Sequence, residues 1–240
     1  MGSDGTAGAA TPGMDRQTLA AMLDQTLLKP TVGYAAAAEW IEAARDAGFA
    51  TLCVSPFLVP LTAQRLTGTC TKVCSVVGFP LGYCCTETKA EEARLLVRLG
   101  AAEIDMVMNI AAFVGGDETL ARDDISAVVD SVRHVSGGQG LVKVILETGY
   151  LDEAQVGVAA ALAVAAGADY VKTSTGFGPR GASVADVLAM RKAVGPDVGV
   201  KAAGGIRDLN TALAMIDAGA NRIGTSSGLE ILAALDALAR

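Results

Sequence analysis

The 240-residue sequence carries a formal charge of −7 and is 51% hydrophobic but only 4% aromatic. A general nucleic-acid surface needs a basic footprint and stacking rings, so that class is excluded, and no apolar run reaches the ~18 residues that would read as membrane-spanning. The expectation is a soluble, cytoplasmic protein that touches neither nucleic acid nor membrane and holds any anionic ligand in a local site.

Residues 1–14 are small and glycine- and alanine-rich, without the basic start and apolar stretch of a signal peptide, and are read as a flexible segment outside the fold. No linker-like run interrupts residues 15–240, which are read as a single domain. Cys53, Cys70, Cys74, Cys84 and Cys85 are an odd number in a large chain without export signals, which points to reduced thiols. They lack paired CxxC spacing and a neighbouring histidine, so no metal is expected.

Asp15 can cap a short amphipathic helix that runs to Leu23. A β-rich run follows at Leu23–Leu28, a helical pattern at Ala35–Ala47, and β-rich runs at Thr51–Ser55 and Lys72–Phe79 with no helix read between them. Beyond Thr86–Leu99 (helix) come Glu103–Asn109 (strand), Glu118–Val135 (helix), Val142–Glu147 (strand), Asp152–Ala166 (helix) and Tyr170–Ser174 (strand). The chain closes with Val184–Val194 (helix), Gly199–Ala203 (strand), Asp208–Ala218 (helix), Arg222–Ser226 (strand) and Leu229–Leu238 (helix). Gly48, Gly100, Gly167 and Gly219 stand where left-handed helix caps are needed. Strand alternating with helix means βαβ units and a parallel sheet. Eight such units close into a (β/α)8 TIM barrel, with the extra N-terminal helix over its lower mouth or flanking it, whereas a doubly wound sheet would show a glycine fingerprint after its first strand.

In such a barrel the chemistry sits at the C-terminal ends of the strands. The stretch Tyr170-Val-Lys-Thr-Ser-Thr-Gly-Phe-Gly-Pro-Arg-Gly181 places Lys172 inside a buried strand and follows it with three hydroxyl residues and a glycine loop. A buried lysine is costly unless its amine has a partner or a task. Lys201 stands on the adjacent strand in the same Val-Lys setting. Two ammonium groups held close repel, so one amine is expected to become neutral and nucleophilic; the pair by itself does not say which, and Lys172 is taken as the nucleophile with Lys201 as the lasting cation. Asp105 interrupts the apolar run Ile104-Asp-Met-Val-Met108 and is the expected general acid and base, with Asp24 a second member of a proton relay. Lys143, sharing a strand face with Glu147, is expected chiefly to neutralise Asp105. The competing structural reading is that both lysines pair with Asp105 and Glu147 in a buried network. Gly176, Gly204, Gly205 and Gly224, with Ser226 and Ser227, follow late strands and form the expected anion cradle, and Thr173 is counted among the substrate contacts. His134, the single histidine, is expected at the surface, so no Ser-His-Asp or Cys-His site can be drawn.

With these residues collected, the sequence resembles the deoxyribose-phosphate aldolase family. The motifs are Asp24-Gln-Thr-Leu-Leu-Lys-Pro30, Gly78-Phe-Pro-Leu-Gly82, Glu103-Ile-Asp-Met-Val-Met-Asn109, Lys143-Val-Ile-Leu-Glu-Thr148, Val171-Lys-Thr-Ser-Thr-Gly-Phe177, Lys201-Ala-Ala-Gly-Gly-Ile206 and Arg222-Ile-Gly-Thr-Ser-Ser-Gly228. The resemblance implies a metal- and cofactor-free class I aldolase that reversibly cleaves 2-deoxy-D-ribose 5-phosphate to D-glyceraldehyde 3-phosphate and acetaldehyde, and a homo-oligomer, expected to be a dimer. It implies that Lys172 forms the Schiff base, Lys201 tunes it, Asp105 is the acid and base, and Cys53 lines the pocket without serving the chemistry. Three departures stand out: Gln25 where many relatives carry histidine, Cys84-Cys85 where small or hydroxyl residues are usual, and an end at Arg240 without a C-terminal tyrosine. The alternatives are another Schiff-base aldolase or phosphosugar-processing enzyme on the same barrel, or a phosphate-binding barrel without catalysis.

Overall fold

A computed structural model describes residues 14–238. Eight strands, β1 (Leu23–Leu27), β2 (Thr51–Val54), β3 (Lys72–Val77), β4 (Glu103–Val107), β5 (Leu141–Ile145), β6 (Tyr170–Lys172), β7 (Gly199–Ala203) and β8 (Arg222–Thr225), pair in parallel and in sequence order, and β8 returns to β1. The sheet is the expected closed (β/α)8 barrel. The helices are α1 (Arg16–Ala20), α2 (Tyr34–Ala44), α3 (Val59–Arg65), α4 (Thr86–Arg98), α5 (Ile110–Val114), α6 (Glu118–Ser136), α7 (Glu153–Ala165), α8 (Val184–Val194), α9 (Leu209–Asp217) and α10 (Gly228–Leu238). The expected flexible segment lies outside the described residues, save Met14. Among the described residues no helix is long and apolar enough to cross a membrane.

Strand alternation divides this barrel into two chemically different layers. Ile104 and Met106 of β4, Val142 and Val144 of β5, Val171 of β6, Val200 and Ala202 of β7 and Ile223 of β8 join the large apolar core with the helices. The residues between them, Asp105, Lys143, Lys172, Lys201 and Arg222, point to the barrel axis and are buried. Each fully buried Val or Ile is worth about 1.5–3 kcal/mol. The outer layer therefore supplies stability while the inner layer is given over to charge.

Gly199 makes room for this inner layer, because a Cβ there would lie 2.1 Å from a ring carbon of Tyr170. The Tyr170 ring in turn takes the Arg222 guanidinium over its face at 5.4 Å.

α1 begins as expected at Asp15, whose side chain accepts from the Thr18 amide. It packs on α10 at the barrel's N-terminal end, with Leu19 and Ala20 buried. Two helices were not legible in the pattern. α3 carries Pro60 in its first turn, where the missing amide costs nothing, and follows a one-turn 3-10 helix at Pro56–Leu58. α5 is only five residues long and is capped by Asn109, which the sequence had assigned to a strand.

Candidate active site

The inner ends of β1, β4, β5, β6, β7 and β8 converge on one ionic cluster. Asp105 Oδ2 accepts from Lys172 Nζ at 2.8 Å and from Lys201 Nζ at 2.7 Å, and its Oδ1 accepts from Lys143 Nζ at 2.9 Å. Asp24 accepts from Lys201 and from Arg222 at 2.7 Å, and Glu103 pairs with Lys143 at 2.6 Å and Arg222 at 3.2 Å. Four basic side chains thus share three carboxylates. Lys143, Lys201 and Arg222 each touch at least two carboxylates, whereas Lys172 touches one.

The register explains the convergence: Lys172 lies opposite Lys201, Lys143 opposite Asp105, and Lys201 opposite Arg222. Lys172 and Lys201 do not face each other bare, as the sequence suggested, but through a shared carboxylate oxygen. Glu147 is absent from the cluster, so the competing network reading holds for Asp105 and fails for Glu147.

Burial alone would push the Asp105 carboxyl upward, but Lys143, Lys172 and Lys201 outweigh it and hold it well below the ordinary carboxylate range. Asp24 behaves likewise, with burial overcome by Lys201, Lys143 and Arg222. Burial works against the charged amine of Lys201, yet Asp105 and Asp24 raise it above the ordinary lysine value. Lys143 is raised in the same way, mainly by Asp105. The carboxylates thus favour the charged form of Lys201.

Cys53 and Cys74 stand side by side on β2 and β3. With Asp105 they bring three possible metal-ligand atoms within 4.8 Å of one another. The charge around them argues against a metal, because a cation would have to displace three ammonium groups from Asp105. A hydrogen bond with Cys74 lowers the Cys53 thiol, while burial raises Cys74, whose sulfur lies 3.4 Å from Lys143 Nζ.

Above the cluster opens a cavity of about 190 Å³ lined by Lys172, Thr175, Gly176, Gly204, Gly205, Gly224, Ser226 and Arg207, among others. Gly176 and Gly204 have φ of +86° and +94°, left-handed values that favour glycine. At Gly224 a Cβ would lie 3.0 Å from Lys201 Cε, so this glycine leaves the lysine its path. Ser227 precedes α10 and its carbonyl accepts from Ile231, which brings the positive end of that helix to the cavity. Arg207, the cavity's cation besides Lys172, was missed because it lies past the glycine pair on an exposed loop rather than on a strand. Beside this cavity a second one, lined by Leu28, Phe57, Val76, Phe79 and Phe177, is mainly apolar.

Three expected contacts stand elsewhere. The Thr173 hydroxyl faces away from the cavity, donating to Ala203 O at 2.9 Å and accepting from Ala203 N at 3.0 Å, so it staples β6 to β7. Cys53 is buried with Cys74 and Val76 and does not line the 190 Å³ cavity. Ser227 likewise is not among the residues that line this cavity. His134 is exposed in the last turn of α6, as expected. Arg180, for which the sequence offered no role, forms a bidentate pair with Asp186 and donates to Thr148 O at 2.9 Å.

A family model described as DeoC/LacD family aldolase matches residues 14–234. The chain belongs to this aldolase family. It is 52% identical over 214 residues to the deoxyribose-phosphate aldolase of Geobacillus sp. (strain WCH70), covering 89% of this chain and 94% of that one. It is 49% identical over 219 residues to deoxyribose-phosphate aldolase 1 of Bacillus licheniformis, covering 91% and 96%. Among solved structures, the tetrameric deoxyribose phosphate aldolase from Aeropyrum pernix is similar, with a TM-score of 0.84, 32% identity and 93% of each chain covered.

This aldolase is thus a carbon–carbon lyase with its cluster and cavity at the end of the barrel where the family fold expects them. The Gln25 amide does structural work: Oε1 accepts from Gly228 N at 2.8 Å and Nε2 donates to Ser226 O at 3.3 Å. Cys85 is exposed at the start of α4 and Cys84 half-buried.

Proposed function

We propose that this aldolase is a class I deoxyribose-phosphate aldolase, reversibly splitting 2-deoxy-D-ribose 5-phosphate into D-glyceraldehyde 3-phosphate and acetaldehyde. The observation that carries the reading is Lys172, the least engaged cation of the cluster, held 2.8 Å from Asp105 on the wall of a glycine-lined cavity.

In this scheme Lys172 gives up its ammonium proton to solvent, the free amine attacks C1 of the open-chain sugar, and loss of water gives an iminium that acts as an electron sink. Asp105, bridged to Lys201, takes the proton of the C3 hydroxyl as the C2–C3 bond breaks, leaving an enamine on Lys172 and releasing the phosphorylated aldehyde. Protonation of the enamine and hydrolysis of the imine release acetaldehyde and restore the amine. Lys201 and Lys143 keep Asp105 charged and fixed, while Asp24 anchors Lys201 and Arg222 anchors Asp24. Gly176, Gly204, Gly205, Gly224 and Ser226, with Arg207 and the α10 N-terminus, hold the phosphate, and fixing that far end positions the reacting carbon.

We assign residues 15–240 to one catalytic domain, the protein to the cytoplasm, and its assembled form to a homodimer. Light scattering tests the last point, and a tetramer like the Aeropyrum relative would replace it. The function is tested by borohydride trapping with acetaldehyde or the sugar phosphate. The expected product is a reduced adduct on Lys172, absent from Lys172→Leu, and an adduct elsewhere overturns the mechanism. EDTA should leave the rate unchanged. A better rate with dihydroxyacetone phosphate than with acetaldehyde as donor would shift the assignment to another Schiff-base aldolase.

A further inference from the structure

Glu147 is a buried carboxylate just past the end of β5 that the reaction scheme leaves without a part. Its backbone has φ 53° and ψ 62°, and it is the one non-glycine residue with positive φ among the described residues. Strained backbone of this kind persists where the surroundings over-determine it, and it concentrates at functional sites. The surroundings here are specific. On one side Leu146 N donates to Lys172 O at 2.9 Å, and on the other Thr148 N donates to Thr173 O at 3.0 Å, so the chain around Glu147 is tied to β6 at the nucleophile and the residue after it.

The side chain then reaches into the loop after β6. Its carboxylate accepts from Thr175 N at 3.2 Å and from the Thr175 hydroxyl, which itself accepts from Phe177 N at 3.0 Å. The turn is wound so closely around this anion that a Cβ on Gly178 would lie 2.7 Å from the Glu147 carboxyl carbon. Arg180, in the same loop, is anchored on Asp186 and Thr148 O and feels the Glu147 carboxylate electrostatically. Thr175 and Gly176, held in this way, form part of the cavity wall.

We propose that Glu147 is a positioning residue that sets substrate specificity: its carboxylate is the template on which the Thr175–Gly178 turn is built, and it thereby aims the Gly176 amide at the phosphate of the substrate. Glu147 touches no reacting atom. Its influence falls on the phosphorylated end, so it governs the preference for phosphorylated over unphosphorylated sugar more than the carbon–carbon chemistry at Lys172. This inference rests on the reading of the cavity as a phosphate site.

The test compares kcat and KM for 2-deoxyribose 5-phosphate and for 2-deoxyribose in the wild-type enzyme, Glu147→Ala, Glu147→Gln and Gly178→Ala. A hydrogen bond to a charged group corresponds to roughly ten- to a hundredfold in binding. Glu147→Ala should raise KM for the phosphorylated sugar by about that factor and shrink the phosphate preference with it. Glu147→Gln, which keeps an acceptor for the Thr175 amide, should recover part of the loss. Gly178→Ala keeps the carboxylate but crowds it away from the turn, and should reproduce the loss should Glu147→Ala fail to fold.

An unchanged ratio of the two specificity constants in folded Glu147→Ala or Gly178→Ala overturns the inference. So does a fall in kcat that is equal for both sugars. If the wild-type enzyme itself shows no preference for the phosphorylated sugar, the cavity reading fails instead, and that outcome is recognisable before any variant is made.

Discussion

Asp105 is the residue on which the cluster balances, because three ammonium groups converge on its two oxygens. Asp105→Asn keeps the shape but removes the charge, leaving Lys143, Lys172 and Lys201 with less compensation. The expected result is a loss of kcat of about 10²–10⁴, the usual worth of a general acid and base. Retention of kcat within a few-fold would mean that the proton moves by another route. Ser174 offers the opposite case. Its hydroxyl is buried without a hydrogen-bond partner, and a polar group so placed costs free energy rather than contributing it. Ser174→Ala should leave the thermal midpoint unchanged or raise it, with a gain of up to about 1–3 kcal/mol. A clear drop would show that the hydroxyl has a partner.

Single elements carry consequences that single residues do not. The α10 N-terminus is held at the cavity by Gln25 of β1, which ties Gly228 N and Ser226 O to the barrel. Gln25→Leu should loosen that end of the cradle and raise KM for the phosphorylated sugar, leaving the Lys172 adduct with acetaldehyde intact; unchanged KM would remove Gln25 from the account. On the opposite flank α4 and α6 are joined by Lys89 and Asp124, both fully buried and 2.7 Å apart, and Lys89 also donates to Val107 O at the end of β4. Asp124→Ala strands a buried ammonium group and should cost about 3–5 kcal/mol in chemical denaturation; a loss below 1 kcal/mol would indicate that water reaches Lys89. The elements were largely legible. Strands β7 and helix α8 begin and end where alternation and periodicity put them, since Gly195 and Gly199 punctuate both clearly. Strand ends read too long at β4 and β5 because Met108 and Leu146 continue the apolar pattern while their backbones already leave the sheet. Helix α3 was lost because Pro56 and Pro60 read as breakers when they are in fact first-turn residues.

For the whole molecule the charged barrel interior predicts how stability depends on pH. The folded-state values of Asp24 and Asp105 are depressed below 3.8, so their contribution is present above that value and is lost as pH falls below it. The folded-state values of Lys143 and Lys201 are raised above 10.5, so their contribution is present below that pH and is lost as pH rises through the folded values. The denaturation midpoint should therefore be level between roughly pH 4 and pH 10 as far as this cluster decides it, and should fall on acidification below about pH 4. Constant stability down to pH 2 would show that the carboxylates are not ion-paired in solution.

The sequence by itself determined the eight-unit rhythm and the barrel, and singled out Lys172, Lys201, Asp105 and the late glycines as candidates, because each of these is a local signal: a period, a cap, or a costly charge in an apolar strand. Tertiary structure alone decided who partners whom. It put Asp105 between the two lysines, turned the Thr173 hydroxyl into a staple, brought Arg207 to the cavity, and moved Glu147 from the supposed charge network to the turn after β6. The physical reason is the closure of the barrel. Strand alternation says which face a side chain occupies, but only the register of eight strands around a common axis, and the paths of the loops above them, fix which charges meet.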